Sequence, residues 1–174
     1  ILSGGRLNMG IGSGSQPTEF EGMGVPFESK RSRFEECSRA LSTLWRAEET
    51  PALNVGPTQR PPPIYVAAMD EDGAHAAGCS GHNLLTLVSP GTGHLNAVER
   101  RLEAHARGVS QTGGERALEG VVTVLAHVDE SGERARAQAA HSLRNFIRSM
   151  SGSDPGDCTG LRDIMIERGT GLFG

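Results

Sequence analysis

Aromatic residues are scarce: Phe, Trp and Tyr make up 4% of the 174 residues, with one Trp and one Tyr. Lysine is scarcer still, since Lys30 is the single Lys among 17 cations and the rest are Arg. With 21 acids the formal net charge is −4, which excludes the broad basic footprint of a nucleic-acid-binding domain. Long apolar runs are missing. The longest stretch without Asp, Glu, Lys or Arg, Gly73 to Val98, is broken by His75, His82, His94, Gly and Pro, so no membrane-crossing helix is expected. No charged segment followed by an apolar core opens the sequence, so no secretory leader is expected. The three cysteines, Cys37, Cys79 and Cys158, are odd in number and far apart. That excludes a disulfide framework and points to a reducing, cytoplasmic compartment. Leu, Ile, Val and Phe together form about a fifth of the chain, close to the roughly 20% at which disorder begins. Glycine, at 24 residues, is about twice its usual share of roughly 7%.

Four short apolar runs are present: Leu7 to Ile11, Ile64 to Met69, Leu84 to Val88 and Val121 to Val128. Near-continuous runs of this kind predict parallel strands covered on both faces. Helical spacing lies between them. Phe34, Cys37, Leu41 and Leu44 recur at steps of three and four within Lys30 to Trp45. Asp72 to Ala77 predicts a short Ala-rich helix, and Gly93 to Arg107 carries Leu95, Val98 and Leu102 on one stripe. Glu133 to Met150 carries Ala135, Ala139, Leu143, Phe146 and Met150, and Leu161 to Arg168 predicts a last short helix. Gly56 to Pro63 and Ser151 to Asp157 are breaks, the first extended by its prolines. Strand and helix alternating four times predict an α/β fold of right-handed βαβ units on a parallel sheet.

Candidate sites collect where strands end. Gly10 to Gln16, GIGSGSQ, follows the first run, at the strand end that carries ligands in parallel α/β folds. Its glycines would let backbone N–H groups approach a phosphate; a plain tight turn is the alternative. It is a poor dinucleotide fingerprint, because Ser15 stands where the third glycine belongs, Pro17 follows, and no helix is expected for more than ten residues. Arg31, with Arg33 nearby, sits in a first helical turn, where acids are the norm. Its guanidinium fork suits a phosphate, and pairing with Glu28 or Glu35 is the competing role. At Met69 to Gly73, MDEDG, the second strand meets a helix whose N-terminus could take an anion or be capped by Asp70 or Asp72. His75, Cys79 and His82 have metal-like spacing but no evident fourth ligand, and no metal site is expected. His127, with Asp129 beyond it, could enter a site or be a satisfied structural histidine.

Together these stretches resemble the luciferase-like, flavin-dependent monooxygenases. The most specific part is LSGGRLNMGIGSGSQPTEFEGMGVPFESKRSRFEE, Leu2 to Glu36. It has the family's Gly-Arg pair, strand, G-x-G-x-G loop, Glu-Phe, Met-Gly-Val and basic helix start. PTQRPPPIYVAAM, LEGVVTVLAHVDES and ERGTGLFG resemble later landmarks. The resemblance implies a (β/α)₈ barrel using reduced FMN or a deazaflavin (F420). It implies a flavin phosphate held by the loop with Ser13 and Ser15, by Arg31, and by the junction of Met69, Asp70 and Gly73. Ser13 stands where an Arg is frequent and Asp70 where a Ser is common. The span from Trp45 to Ile64 is shorter than usual.

The implied reaction is oxidation of a small organic substrate by O₂, with reduced FMN from a separate flavin reductase. A flavin-binding protein without turnover, or a deazaflavin-dependent dehydrogenase, are the alternatives. Residues 1–174 are expected to form a partial barrel domain of about four strands, lacking the N-terminal strands and the last helix and strand. The family's catalytic His lies mostly outside that part, so no catalytic residue is named. Open sheet edges predict a homo-oligomer, with no nucleic-acid or membrane partner.

Overall fold

The computed structural model describes residues 2–46, 58, 62–88, 94–112 and 118–151. The strands are β1 (Met9–Ile11), β2 (Ile64–Ala67), β3 (Asn83–Leu87) and β4 (Gly120–Thr123). The helices are α1 (Pro17–Gly22), α2 (Lys30–Arg46), α3 (Glu71–Cys79), α4 (His94–Gln111) and α5 (Gly132–Ser151), with a 3-10 turn at Phe27–Ser29. The strands form one sheet in the order β1-β2-β3-β4, all parallel. Met9 pairs with Ile64, and Val66 pairs with Leu84. This is the βαβ alternation expected from the sequence. The four described strands form an open sheet, since a barrel of this type takes eight. No described helix is long and apolar enough to cross a membrane.

The chain divides into two compact units, Ile1–Thr86 with Arg100–Val121, and Leu87–Glu99 with Val122–Gly174. In the first, Ile64, Val66 and Ala77 pack with Ile11, Phe34 and Trp45, while Ala68, Ala74, Leu84 and Ala104 pack with Leu102. Strand alternation puts Ile64, Val66 and Ala68 on one face, and α2, α3 and α4 cover that face. The opposite face holds half-buried Tyr65 and Leu85 and exposed Ala67. The expectation of cover on both faces is therefore corrected. In a closed barrel that second face is filled by side chains from strands opposite, which a four-strand sheet does not supply.

Glycine decides how closely α3 and α4 cross. A Cβ on Gly78 would strike the His105 carbonyl oxygen and come within 2.9 Å of Val109 N. A Cβ on Gly108 would strike the His75 carbonyl oxygen and come within 2.9 Å of Cys79 N. The two backbones touch at this pair.

Three further expectations are revised. A helix opens at once after the glycine loop, because Pro17 takes the first position of α1, where its missing N–H costs nothing. On α2 the half-buried stripe is Phe34, Ser38, Leu41 and Trp45, while Cys37 and Leu44 are exposed. The polar Ser38 belongs to it because its Oγ lies 3.2 Å from the buried His82 Nε2. The fourth run is a strand only over Gly120–Thr123, and all four residues are exposed. The predicted helix over Leu161 to Arg168, and Cys158, lie outside the described residues.

In the second unit Val88 N donates to Thr123 O at 2.9 Å. On α5, Leu143 is buried and Ala135, Ala139 and Phe146 are half-buried, as predicted; the side chain of Met150, the last member of that stripe, lies outside the described residues. Ser131 Oγ accepts from Arg134 N at the start of α5, an N-cap.

Candidate functional site

The loop after β1 and the junction after β2 lie at neighbouring strand ends. A Cβ on Gly12 would sit 3.4 Å from Ala67 Cβ, so the loop runs against the last residue of β2. Gly14 has φ +79°, a conformation that glycine adopts without strain. A Cβ there would approach Phe20 Cε2 to 2.7 Å. Phe20 is buried on α1 and meets Phe27 edge-on, centroids 5.3 Å apart. The short helix absent from the sequence expectation is thus what supports the glycine loop from below. Ser13 on that loop is half-buried and Ser15 is exposed.

At the junction, Asp70 is the N-cap of α3, and its Oδ1 accepts from Gly73 N at 2.6 Å. Of the two roles open to Asp70, the structure has capping. Gly73 is tightly seated, since a Cβ would meet Asp70 Oδ1 at 3.1 Å and Ala68 Cβ at 3.3 Å. Met69 is half exposed, with its sulfur 3.8 Å from Arg101 Nη1. Asp70 and Gly73 are thereby in direct contact, with Met69 beside them. Arg31 is exposed on α2, and its Nε pairs with Glu35 Oε1 at 3.4 Å. At the same helix start Lys30 Nζ lies 4.3 Å from the Phe27 ring centroid, a cation–π contact.

Sequence reasoning missed the polar residues beneath the junction. Arg101 on α4 is only 4% exposed. Its Nη1 donates to Thr86 Oγ1 at 2.7 Å, and Thr86 Oγ1 donates to the Ala68 carbonyl oxygen at 2.9 Å. Burial holds the Arg101 guanidinium below its ordinary value; the neighbouring charge of Arg100 adds to this and Asp70 opposes it. Arg100 Nε donates to Glu71 Oε1 at 2.9 Å. His105, also buried, donates from Nε2 to the His82 carbonyl oxygen at 2.8 Å. The available signal was the ERR sequence of Glu99 to Arg101 inside an apolar stripe, which reads as surface charge until the helix is placed.

The remaining candidates have side-chain partners within the chain. His75 lies 3.7 Å from Cys79 Sγ, which donates to Gln111 Oε1. His82 turns instead to Ser38, and no described cluster of His, Cys, Asp and Glu could hold a metal. His127 Nε2 bonds Gln138 Oε1 at 2.7 Å and is exposed.

A solved structure with a similar fold is that of monooxygenase RslO1 from Streptomyces bottropensis. It aligns with a TM-score of 0.73 at 25% identity, over 92% of this chain and 52% of that one. Uncharacterized protein y4vJ of Sinorhizobium fredii is 31% identical over 100 residues, 51% of this chain and 28% of that protein. The chain thus spans about half of the solved relative and under a third of the curated one. The family model for luciferase-like monooxygenases matches residues 1–171, nearly the whole sequence. The chain belongs to the luciferase-like monooxygenase family.

Proposed function

We propose that this chain is the flavin-phosphate-holding part of a flavin-dependent monooxygenase. The observation that carries the reading is the placement of the Gly10 to Gln16 loop against the end of β2, beside the N-terminus of α3. A glycine-rich loop and a helix N-terminus at adjacent parallel strand ends form the position where such sheets take ligands.

The residues fit a phosphate monoester on their chemistry. The first turn of α3 presents backbone N–H groups and the positive end of a helix dipole. Ser13 and Ser15 add hydroxyl donors. Asp70 is turned back onto Gly73 N, and Glu71 is drawn to Arg100, so neither carboxylate stands unpaired in front of an incoming anion. Arg31 would join by releasing Glu35, an exposed pair of little worth.

When bound, reduced FMN would supply the electrons for oxidation of an organic substrate by O₂; the protein supplies binding and orientation. The residues of this chain would hold the phosphate, fix its direction relative to the strand ends and neutralise its charge. The reduced cofactor would come from a separate flavin reductase. FMN is preferred to a deazaflavin because a terminal phosphate monoester suits backbone N–H and hydroxyl donors at a helix N-terminus.

Flavin fluorescence titration of FMN against riboflavin tests the reading, because the two differ only in the phosphate. Tighter binding of FMN, weakened by Arg31→Ala while riboflavin is unaffected, is expected. Equal affinity for the two flavins would remove the phosphate site.

A further inference from the structure

We propose that Arg101 is a positioning residue for the junction between β2 and α3: it anchors the end of β2 through Thr86 and balances the carboxylate of Asp70. This rests on the reading of that junction as the phosphate end of a flavin site.

The geometry is a relay from helix to strand to strand. Thr86 has one hydroxyl proton, and it goes to the Ala68 carbonyl oxygen. Its oxygen then accepts from Arg101 Nη1. Ala68 immediately precedes Met69 and Asp70, so α4 reaches across β3 to hold the backbone that leads into α3. A second group of Arg101 contacts is on Met69, whose sulfur faces the same Nη1.

The charge pattern points the same way. Asp70, Glu71 and Asp72 put three acids where a dianion is to bind. Arg100 engages Glu71 Oε1 at 2.9 Å, and Arg101 Nη1 lies 3.8 Å from the sulfur of Met69, the residue next to Asp70; the Asp70 charge acts on that guanidinium. A buried guanidinium is costly unless polar groups and an opposite charge compensate it. Conversely, a carboxylate beside a phosphate is repulsive unless a cation offsets it. Each group resolves the cost of the other.

The test compares R101Q, D70S and the double variant R101Q/D70S in the whole chain, with FMN and riboflavin titrated side by side. R101Q is expected to weaken FMN about tenfold, the scale of one charge-assisted bond, and to leave riboflavin within about twofold. D70S removes the repulsion that Arg101 offset, so the double variant regains most of the FMN affinity. If R101Q weakens both flavins alike, or D70S restores nothing, Arg101 is a packing residue and the proposal falls. Should R101Q not fold, Thr86 carries the test: T86S keeps the FMN preference and T86V lowers it, and equal behaviour of the two overturns the relay. Wild-type protein that binds FMN and riboflavin equally would remove the phosphate reading itself, a result separate from the failure of a variant.

Discussion

Arg101 and Thr86 are joined by a 2.7 Å hydrogen bond in a part of the molecule that excludes nearly all water. Thr86 is the acceptor for the guanidinium and the donor to Ala68 O, so both ends depend on one oxygen. Thr86→Val keeps the shape and removes both bonds. The loss is expected to be about 1–3 kcal/mol, the cost of leaving buried polar groups without a partner. Thr86→Ser, which keeps the oxygen, is expected to lose less. Urea unfolding of the two variants measures the difference, and equal midpoints would show that the hydroxyl contributes nothing.

Asp70 gives a second stability prediction. Its carboxylate takes the Gly73 N–H at 2.6 Å and caps a nine-residue helix. Asp70→Ala removes the cap and is expected to cost about 0.5–2 kcal/mol. Asp70→Ser and Asp70→Asn retain a capping oxygen and are expected to stay within a few tenths of a kcal/mol of wild type. Thermal unfolding followed by circular dichroism separates these, and D70A matching D70N would show that the cap is idle.

Most of the α/β framework was legible because its signals are local. Apolar runs such as Ile64 to Met69 mark buried strands, and Ala135, Ala139 and Leu143 mark a helix face. What was not legible depends on distant partners. Ser38 enters the half-buried stripe of α2 in place of Cys37 because His82, 44 residues away, accepts or donates at its hydroxyl. Arg101 is buried because Thr86 and Ala68 O lie beneath it, and nothing in the neighbouring residues announces that. At the candidate site, the glycine loop and the Met69 to Gly73 junction were visible from composition, and their adjacency came from the pairing of β1 with β2. The missed helix α1 had a local signal after all, a Pro at the first helical position with Glu19 in the first turn.

The glycine pair between α3 and α4 leads to a third prediction. At Gly78 and Gly108 an added Cβ meets backbone, not a flexible side-chain end, so the helices must separate. Gly78→Ala and Gly108→Ala are each expected to destabilise by at least about 1–3 kcal/mol, the range for overpacking. An exposed glycine such as Gly22, where a Cβ meets nothing within 4 Å, is the control, and Gly22→Ala is expected to be harmless. Thermal midpoints lowered only at the crossing confirm the close approach; unchanged midpoints at Gly78 would refute it.

Exposed apolar surface in and after β4 leads to a fourth. Val122, Val124, Leu125 and Val128 are all exposed, Val128 at 90%. Exposed apolar side chains so close in sequence bind hydrophobic dyes and favour association. The chain is expected to enhance the fluorescence of ANS, and the V124T/L125Q double variant is expected to reduce that signal without loss of helical circular dichroism. No ANS signal from the wild-type chain would show that this segment is covered.

Asp129 gives the pH prediction. It holds the start of α5 by accepting from Ser131 N at 2.9 Å and from Arg134 at 2.8 and 3.0 Å. The Ser131 backbone bond, followed by the Arg134 bonds, holds its carboxyl below the ordinary value of 3.8. A group whose pKa is lower in the folded chain than in the unfolded one stabilises the fold when ionised. That contribution is complete above the ordinary aspartate value and is lost as pH falls through the lower, folded value. The start of α5 is therefore expected to loosen at acid pH below 3.8, and not between neutrality and pH 5. Carboxyl NMR titration of Asp129 reads the shift directly. Asp129→Asn keeps an acceptor for Ser131 N but removes the charge facing Arg134, so it is expected to flatten this part of the acid profile. Titration of Asp129 at or above 3.8 would show that the Ser131 and Arg134 bonds do not hold the carboxylate in solution.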